Sequence, residues 1–242
     1  MIAIPLTNVA GHHPMGMSTG VEGRGDDWPG LVRAACAVST HAVELAAHDA
    51  GELEGLVRYL AGRPRLPFRH VSVHTPVKGV LGSDAARVAA LGALPVEVRT
   101  LIAHPDLVQD PEPWRALGRR AVFENMDDRK ASGQTADDLE DLFAAVPDAG
   151  FCLDIAHAHT VDPTLAVATE LLDRFRGRLR EVHLSSIRGG AHTTLTPEDE
   201  HLFGPLLARC RDVPWILEAA PPARWQAAAH LPMRSVGEPL AA

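Results

Sequence analysis

The sequence predicts a single α/β domain folded as a (β/α)8 TIM barrel, and three observations carry that prediction. Short apolar runs of β character alternate with longer amphipathic stretches from about residue 15 to the end. Eight such runs are separated by about seven helical segments, at spacings of very roughly 20–35 residues. A doubly wound sheet usually needs a glycine-rich phosphate turn or a switch-point crevice, and no GxGxxG or Walker-type loop is present. The 242 residues fall within the range of one large domain. No linker, low-complexity tract or charge block divides them, so one domain is expected over 1–242, with a lead-in at 1–14 and a tail at 230–242.

The candidate strands, in order, are MGMST (15–19), HAVELA (41–46), FRHVSVH (68–74), VRTLIAH (98–104), AVFEN (121–125), FCLD (151–154), LREVHLS (179–185) and WILE (215–218). Between them, DAGELEGLVRYL offers Asp49 as a cap with Glu52 three residues on, and Leu53, Leu56, Val57 and Leu60 on one face. TADDLEDLFAAV offers Thr135 as N-cap, with Leu139, Leu142, Phe143 and Val146 at the same spacing. Asp162-Pro163 and Thr196-Pro197 each present a cap followed by proline at the first helical position. The stretch after Pro221 reads as a closing helix and tail.

With 46% hydrophobic residues the chain can bury a sizeable core without disulfides. Cys36, Cys152 and Cys210 form no CxxC and no even framework, which points to a reducing, cytoplasmic setting. MIAIPLTNVAGHHP has no basic n-region and too short an apolar run for a signal peptide, and nothing approaches the roughly 18 apolar residues of a membrane span. A formal charge of -8 disfavours nucleic acid as a partner, since phosphate neutralisation supplies most duplex affinity. The basic runs at 58–70 and 173–181 read as helix ends whose cations offset the macrodipole.

In a barrel the C-terminal strand ends converge on one face, which holds the chemistry. Here they carry Glu44 near the end of the second strand, then His74, His104, Glu124, Asp154, His183 and Glu218, while the first ends in Ser18-Thr19. Gathering such groups at one end costs stability through repulsion unless a cation neutralises them. Mixed imidazole and carboxylate ligands suit a divalent ion such as zinc or manganese. His157 joins the ring from CLDIAHAH, whereas Cys152, without a second thiol, reads as packing. The other histidines read as solvated or locally bonded. Lys78 and Lys130, in loops after strands, are candidates to reach a substrate phosphate, and Arg188, five residues after His183, reads either as a clamp for an anionic or hydroxylated substrate or as a mobile surface arginine.

The motifs HTP (74–76), AHPD (103–106), FEN (123–125), LDIAH (153–157), VHLS (182–185) and ILE (216–218) occur in this order on consecutive strands. In them the chain resembles the xylose isomerase-like TIM barrels, which join sugar isomerases and epimerases with endonuclease IV-type AP endonucleases. The resemblance covers nearly the full length, from 18 to 222. It implies a four-ligand metal site of Glu124, Asp154, His183 and Glu218. It also implies that His74 and His104, with Glu124 as bridge, match the residues holding another metal in the nuclease branch. His157 is similar to a third-metal ligand in nucleases and a substrate-binding histidine in epimerases, and His192 resembles a later nuclease histidine. One to three ions per chain follow from that comparison. Two departures from the nuclease pattern stand out: Gly190 replaces an aspartate two residues before His192, and Ser185-Ser186 stand where an aspartate usually follows the seventh-strand histidine.

Three functions follow as expectations. The first is a sugar isomerase or epimerase acting through a metal-stabilised enediolate, with Glu124 and Glu218 as proton carriers and a sugar-like small-molecule substrate. The second is a multi-metal hydrolase or phosphodiesterase, for which His74 and His104 argue. The third is a non-catalytic binding barrel. Association into oligomers is compatible with all three.

Overall fold

Eight parallel strands close on themselves in a computed structural model that describes residues 13–23, 25, 27–79, 82–223 and 225. The lead-in through residue 12, the tail at 230–242, and His12 and His230 lie outside the described residues. The strands are β1 (Met15–Ser18), β2 (Ala42–Ala46), β3 (His70–His74), β4 (Thr100–Ala103), β5 (Ala121–Glu124), β6 (Gly150–Asp154) and β7 (Leu179–Leu184). After a hairpin of β8 (Ser186–Arg188) and β9 (Ala191–Thr193), β10 (Trp215–Leu217) pairs with both β7 and β1 and closes the barrel. Each barrel strand falls within a run the sequence marks as β, to within two residues at either end.

Successive side chains on a strand face opposite sides, so each barrel strand contributes one outward and one inward set. Outward Met17, Val43, Leu45, Val73, Leu101, Phe123, Leu153 and Val182 are fully buried in the main core under the helices. Ile102, Val122 and Cys152 form a small separate apolar cluster, the plug inside the barrel. Inward positions also carry Ser72, Glu44, Glu181 and the strand-end Glu124, Asp154 and His183.

Around the barrel run α1 (Trp28–Val38), α2 (Ala50–Ala61), α3 (Asp84–Gly92), α4 (Ala136–Ala145), α5 (Ile155–Val161), α6 (Ala166–Phe175) and α7 (Pro197–Leu207). Thr135 caps α4 and Thr196 caps α7, each closing a capping box with the aspartate three residues on. Asp49 caps α2 through the Glu52 amide, while the Glu52 carboxylate reaches back to His48 instead. Leu53, Leu56 and Leu60 bury the predicted face of that helix.

Two features depart from the sequence reading. The Asp162-Pro163 start is displaced: Asp162 ends α5, and α6 begins at Ala166 after Leu165 in a left-handed conformation (φ 61°). Asp162 still serves the helix, accepting from the Ala166 and Val167 amides at 2.9 and 3.2 Å. The β4–β5 connection is 3-10 rather than α-helical over Glu112–Arg120, with Pro113 near its start and Gly118 at positive φ breaking it.

One irregularity matters for chemistry. The β6–β7 register shifts between Phe151 and Cys152, so Phe151 faces Leu179 while Cys152 faces Glu181 and Asp154 faces His183. Arg180 is the extra residue. Without this bulge Asp154 would sit beside Val182, so the bulge is what brings His183 to the level and face of Asp154. Gly150 makes room for it, since a Cβ there would stand 2.6 Å from Arg180 Cγ.

Candidate metal centre

Glu124 is the hub of the strand-end cluster. It is fully buried, its Oε1 lies 2.8 Å from His183 Nδ1, and its Oε2 lies 3.4 Å from both His74 Nε2 and His104 Nε2. Glu218, one residue past β10, places Oε1 3.3 Å from the same His183 nitrogen. Asp154 completes the group at the end of β6, where its Oδ1 accepts from the His157 amide at 2.6 Å as the cap of α5. Asn125 ties β5 to β6, donating to the Asp154 carbonyl and accepting from the Asp154 amide, both at 2.9 Å.

Ligand atoms of Glu124, Asp154, His183 and Glu218 all lie within 4.8 Å of one another, and the same holds for His74, His104 and Glu124. Two buried oxygens of the first group, Asp154 Oδ2 and Glu218 Oε2, have no hydrogen-bond partner among the described residues. Buried carboxylate oxygens left bare in this way are costly unless a cation meets them. Three carboxylates and one imidazole are a donor set that suits a divalent ion of the manganese-to-zinc range. The residues therefore fit a metal.

The titration behaviour follows from the crowding. Burial pushes Glu124 upward, but the His183, His104 and His74 imidazoles outweigh it and hold this carboxyl well below its ordinary range. Glu218 is lowered as well, His183 and His192 overcoming burial. Asp154 goes the other way, pushed well above the carboxylate range by burial and then by the Glu218 and Glu124 charges. Burial lowers His74, but its Glu124 hydrogen bond and the Glu44 and Glu124 charges carry it up to about 9. Burial lowers His183 too, but the Cys152, Glu218, Glu44 and Glu124 charges carry it well above the ordinary imidazole value, so crowding shifts Asp154, His74 and His183 alike toward their protonated forms.

The rim histidines are oriented individually. His157 Nδ1 donates to the Asn125 carbonyl at 2.9 Å, which leaves Nε2 as the free lone pair, and burial lowers its pKa so that the ring is neutral. His74 Nδ1 likewise donates to the Thr75 carbonyl at 3.0 Å, leaving Nε2 on the Glu124 side. His192 reaches the site on the hairpin, with Nδ1 2.8 Å from Ser185 Oγ and 3.4 Å from Glu218 Oε2. The hairpin turns through Gly189 and Gly190, at φ 60° and 79°, as a two-residue turn needing positive φ at both positions demands. Where the nuclease pattern has an aspartate, this chain therefore has a turn glycine.

A cavity of about 1030 Å³ opens over the cluster, lined among others by Glu44, His74, His104, Glu124, His157 and Glu218. Lys78 and Lys130 also line it, Lys130 pairing with Asp106 at 2.7 Å. Arg188 does not line it. Its guanidinium turns to Asp199 of α7 at 3.0 Å, and the cavity arginine is Arg129, which clamps Asp127 and donates to the Gly190 carbonyl at 2.7 Å. Sequence reading passed over Arg129, Asn125 and Glu181. Glu181 alone had a signal: it stands two residues before His183, on the same inward face. His70, read as locally bonded, in fact pairs with that buried Glu181 at 2.5 Å. No helix among the described residues is long and apolar enough to cross a membrane.

No protein-family model matches the chain, and no curated sequence relative does. Solved structures do. Endonuclease IV from Thermus thermophilus is 23% identical, with a TM-score of 0.53 over 82% of this chain and 89% of that one. The 3-keto-D-glucoside 4-epimerase of E. coli is 12% identical, with a TM-score of 0.52 over 90% and 96%. A D-psicose 3-epimerase from Clostridium cellulolyticum H10, solved with D-tagatose, is 13% identical, with a TM-score of 0.54 over 85% and 84%. The chain is a (β/α)8 barrel with a metal-capable centre at its C-terminal face. It shares that fold with these nuclease and epimerase structures.

Proposed function

We propose that the protein is a divalent-metal-dependent isomerase or epimerase of a sugar or related polyhydroxy carbonyl compound. The observation that carries this reading is the placement of Glu124 and Glu218. They flank one nitrogen of His183, at 2.8 and 3.3 Å, from strands separated around the barrel by β6 and β7, and both line the cavity. Two carboxylates approaching from separate strands can take a proton from a carbon beside a carbonyl and return it from another side. Glu218 has the freer oxygen for this, because Oε2 makes no hydrogen bond, while both Glu124 oxygens face imidazoles.

Glu124, Asp154, His183 and Glu218 would hold the ion, which when bound supplies Lewis-acid polarisation of substrate oxygens. His157, neutral and with Nε2 free, accepts from a substrate hydroxyl. His192 and the Arg129 clamp fix the hairpin that borders the cavity. Carboxylates that must accept a proton near neutral pH serve better once the neighbouring imidazolium charges are gone.

A second reading, a metal-dependent phosphodiesterase, is favoured by one observation: the His74, His104 and Glu124 trio could hold another ion. The net charge of -8 and the turn glycine at 190 count against it.

Proton exchange separates the two. The manganese- or zinc-loaded protein is incubated in D2O with a panel of ketohexoses and ketopentoses, and NMR follows deuterium entering the C–H beside the carbonyl. Exchange by the parent, lost in Glu124→Gln and Glu218→Gln, is the expected result. Cleavage of a simple phosphodiester such as bis(4-nitrophenyl) phosphate, with no exchange in any ketose, would replace this reading with the second.

A further inference from the structure

The polar interior does not stop at the metal-capable ring. One layer deeper, β7 places Glu181 on the same inward face as His183, and its carboxylate is fully buried. Its Oε1 accepts from Ser72 Oγ at 2.9 Å and from His183 Nε2 at 3.4 Å, and its Oε2 lies 2.5 Å from His70 Nε2. Glu44 of β2 is also fully buried, with Oε2 3.1 Å from the same His183 nitrogen. These two carboxylates therefore face the ring nitrogen opposite to the one that meets Glu124 and Glu218.

An imidazole presents a lone pair to a metal only when its proton sits on the other nitrogen, and that N–H then needs an acceptor. Burying two carboxylates inside a barrel is costly, and apolar side chains fill the same interior elsewhere, at Ile102, Val122 and Cys152. A packing role alone would not call for Glu181 there. A further ion among Glu44, Glu181 and His183 would need Nε2 as a ligand, stripping the ring of both protons while Nδ1 serves the first site. Accepting the Nε2 proton uses the same atoms without that difficulty.

We propose that Glu181 is a positioning residue for the metal ligand His183. It holds the Nε2–H tautomer, so that Nδ1 is presented to the ion, and His70 and Ser72 hold Glu181 in turn. The inference rests on the metal site of the proposed function. The β6–β7 bulge sets both residues, because one register shift puts Glu181 beside Cys152 and His183 beside Asp154.

The test is isothermal titration of Zn2+ into the chelator-treated full chain, for the parent, Glu181→Leu and Glu181→Gln. Loss of the acceptor in Glu181→Leu is expected to weaken binding roughly 10- to 100-fold. Glu181→Gln keeps the volume, the Ser72 bond and a weaker acceptor, and is expected to lose roughly 3- to 10-fold. NMR of 15N-histidine-labelled, zinc-loaded protein should show His183 protonated at Nε2 in the parent, with that signal diminished or lost in Glu181→Leu. If Glu181→Leu lacks the near-UV circular dichroism of a folded protein, Glu181→Gln carries the test. Folded variants that bind Zn2+ within twofold of the parent, with the Nε2–H signal unchanged, overturn this inference alone. A parent that binds no Zn2+ overturns the metal site and this inference with it.

Discussion

Replacing Asp154 with asparagine is expected to leave the ion-free protein nearly as stable as the parent while removing much of what a divalent ion adds. Without an ion, burial and then the Glu218 and Glu124 charges push the Asp154 carboxyl well above the usual carboxylate range, toward its neutral form. Asparagine imitates that state. Its oxygen can accept from the His157 amide, as Asp154 does at 2.6 Å, and asparagine caps helices about as well as aspartate. Its neutral amide likewise removes the repulsion from the Glu218 and Glu124 charges. The ion-free cost is therefore about 1 kcal/mol or less, a shift of roughly 2–4 °C in Tm for a chain of this size. An ion at a hundred times its Kd adds about 2.7 kcal/mol, or roughly 5–10 °C. Losing one ligand of four should weaken binding at least about tenfold, removing about 1.4 kcal/mol or more of that gain. Thermal melts of both proteins, in chelator and across a Mn2+ or Zn2+ series, read all of these quantities. Two results would refute the reasoning. A loss of about 3 kcal/mol or more in chelator would mean that Asp154 is an ionised structural carboxylate. A metal-induced rise equal to the parent's would mean that it is no ligand.

Away from the centre, Asp84 accepts from Trp114 Nε1 at 2.7 Å and from the Gln109 and Asp110 amides at 3.0 and 2.9 Å, and pairs with Arg87. Asp84→Ala leaves the buried Trp114 Nε1 unmet and removes a partner of Arg87 and of two part-buried amides, so a loss of about 2–3 kcal/mol is expected in urea unfolding. Burial raises the Asp84 pKa, but Trp114, the two amides and Arg87 outweigh it and depress the folded value below its ordinary 3.8. Its contribution is therefore fully present above pH 3.8 and fades as the pH falls through the lower folded value, so parent and variant should converge in acid. His74→Ala and His104→Ala leave the four-ligand group intact, so elemental analysis should still find one ion per chain in each. A parent that carries two ions, with one lost in either variant, would shift the proposed function toward hydrolysis.

The strand-end cluster of carboxylates and imidazoles was legible because its information is local. A barrel sends alternate residues inward and gathers every C-terminal strand end on one face, so FEN, LDIAH and ILE announce Glu124, Asp154 and Glu218 without any knowledge of pairing. Caps are local too, and Thr135 and Thr196 open their helices as the sequence indicates. What escaped depends on two segments at once. The Arg180 bulge exists only in the register between β6 and β7, and it decides that His183 shares a level with Asp154. Arg188 and Arg129 are equally plausible cavity cations in a linear reading. The tight Gly189-Gly190 turn and the Asp199 carboxylate assign one outward and leave the other over the site. The displaced start of α6 has the same origin, since Asp162 ends one helix before it can begin the next.

The two candidate chemistries meet at Glu124. Its Oε1 belongs to the four-ligand group and its Oε2 to His74 and His104, so the two ligand sets share one carboxylate rather than standing side by side. With neither set filled, burial lowers His74 but the Glu124 hydrogen bond and the Glu44 and Glu124 charges carry it up to about 9, and its Nε2–H faces Glu124 Oε2 at 3.4 Å. If the second set is filled, His74 must release that proton, since Nδ1 is already committed to the Thr75 carbonyl and Nε2 becomes the ligand. Occupation of the histidine arm would thus convert a hydrogen-bond donor into a metal ligand. Filling it requires Nε2 to give up its proton, so binding of an ion there should strengthen as the pH rises.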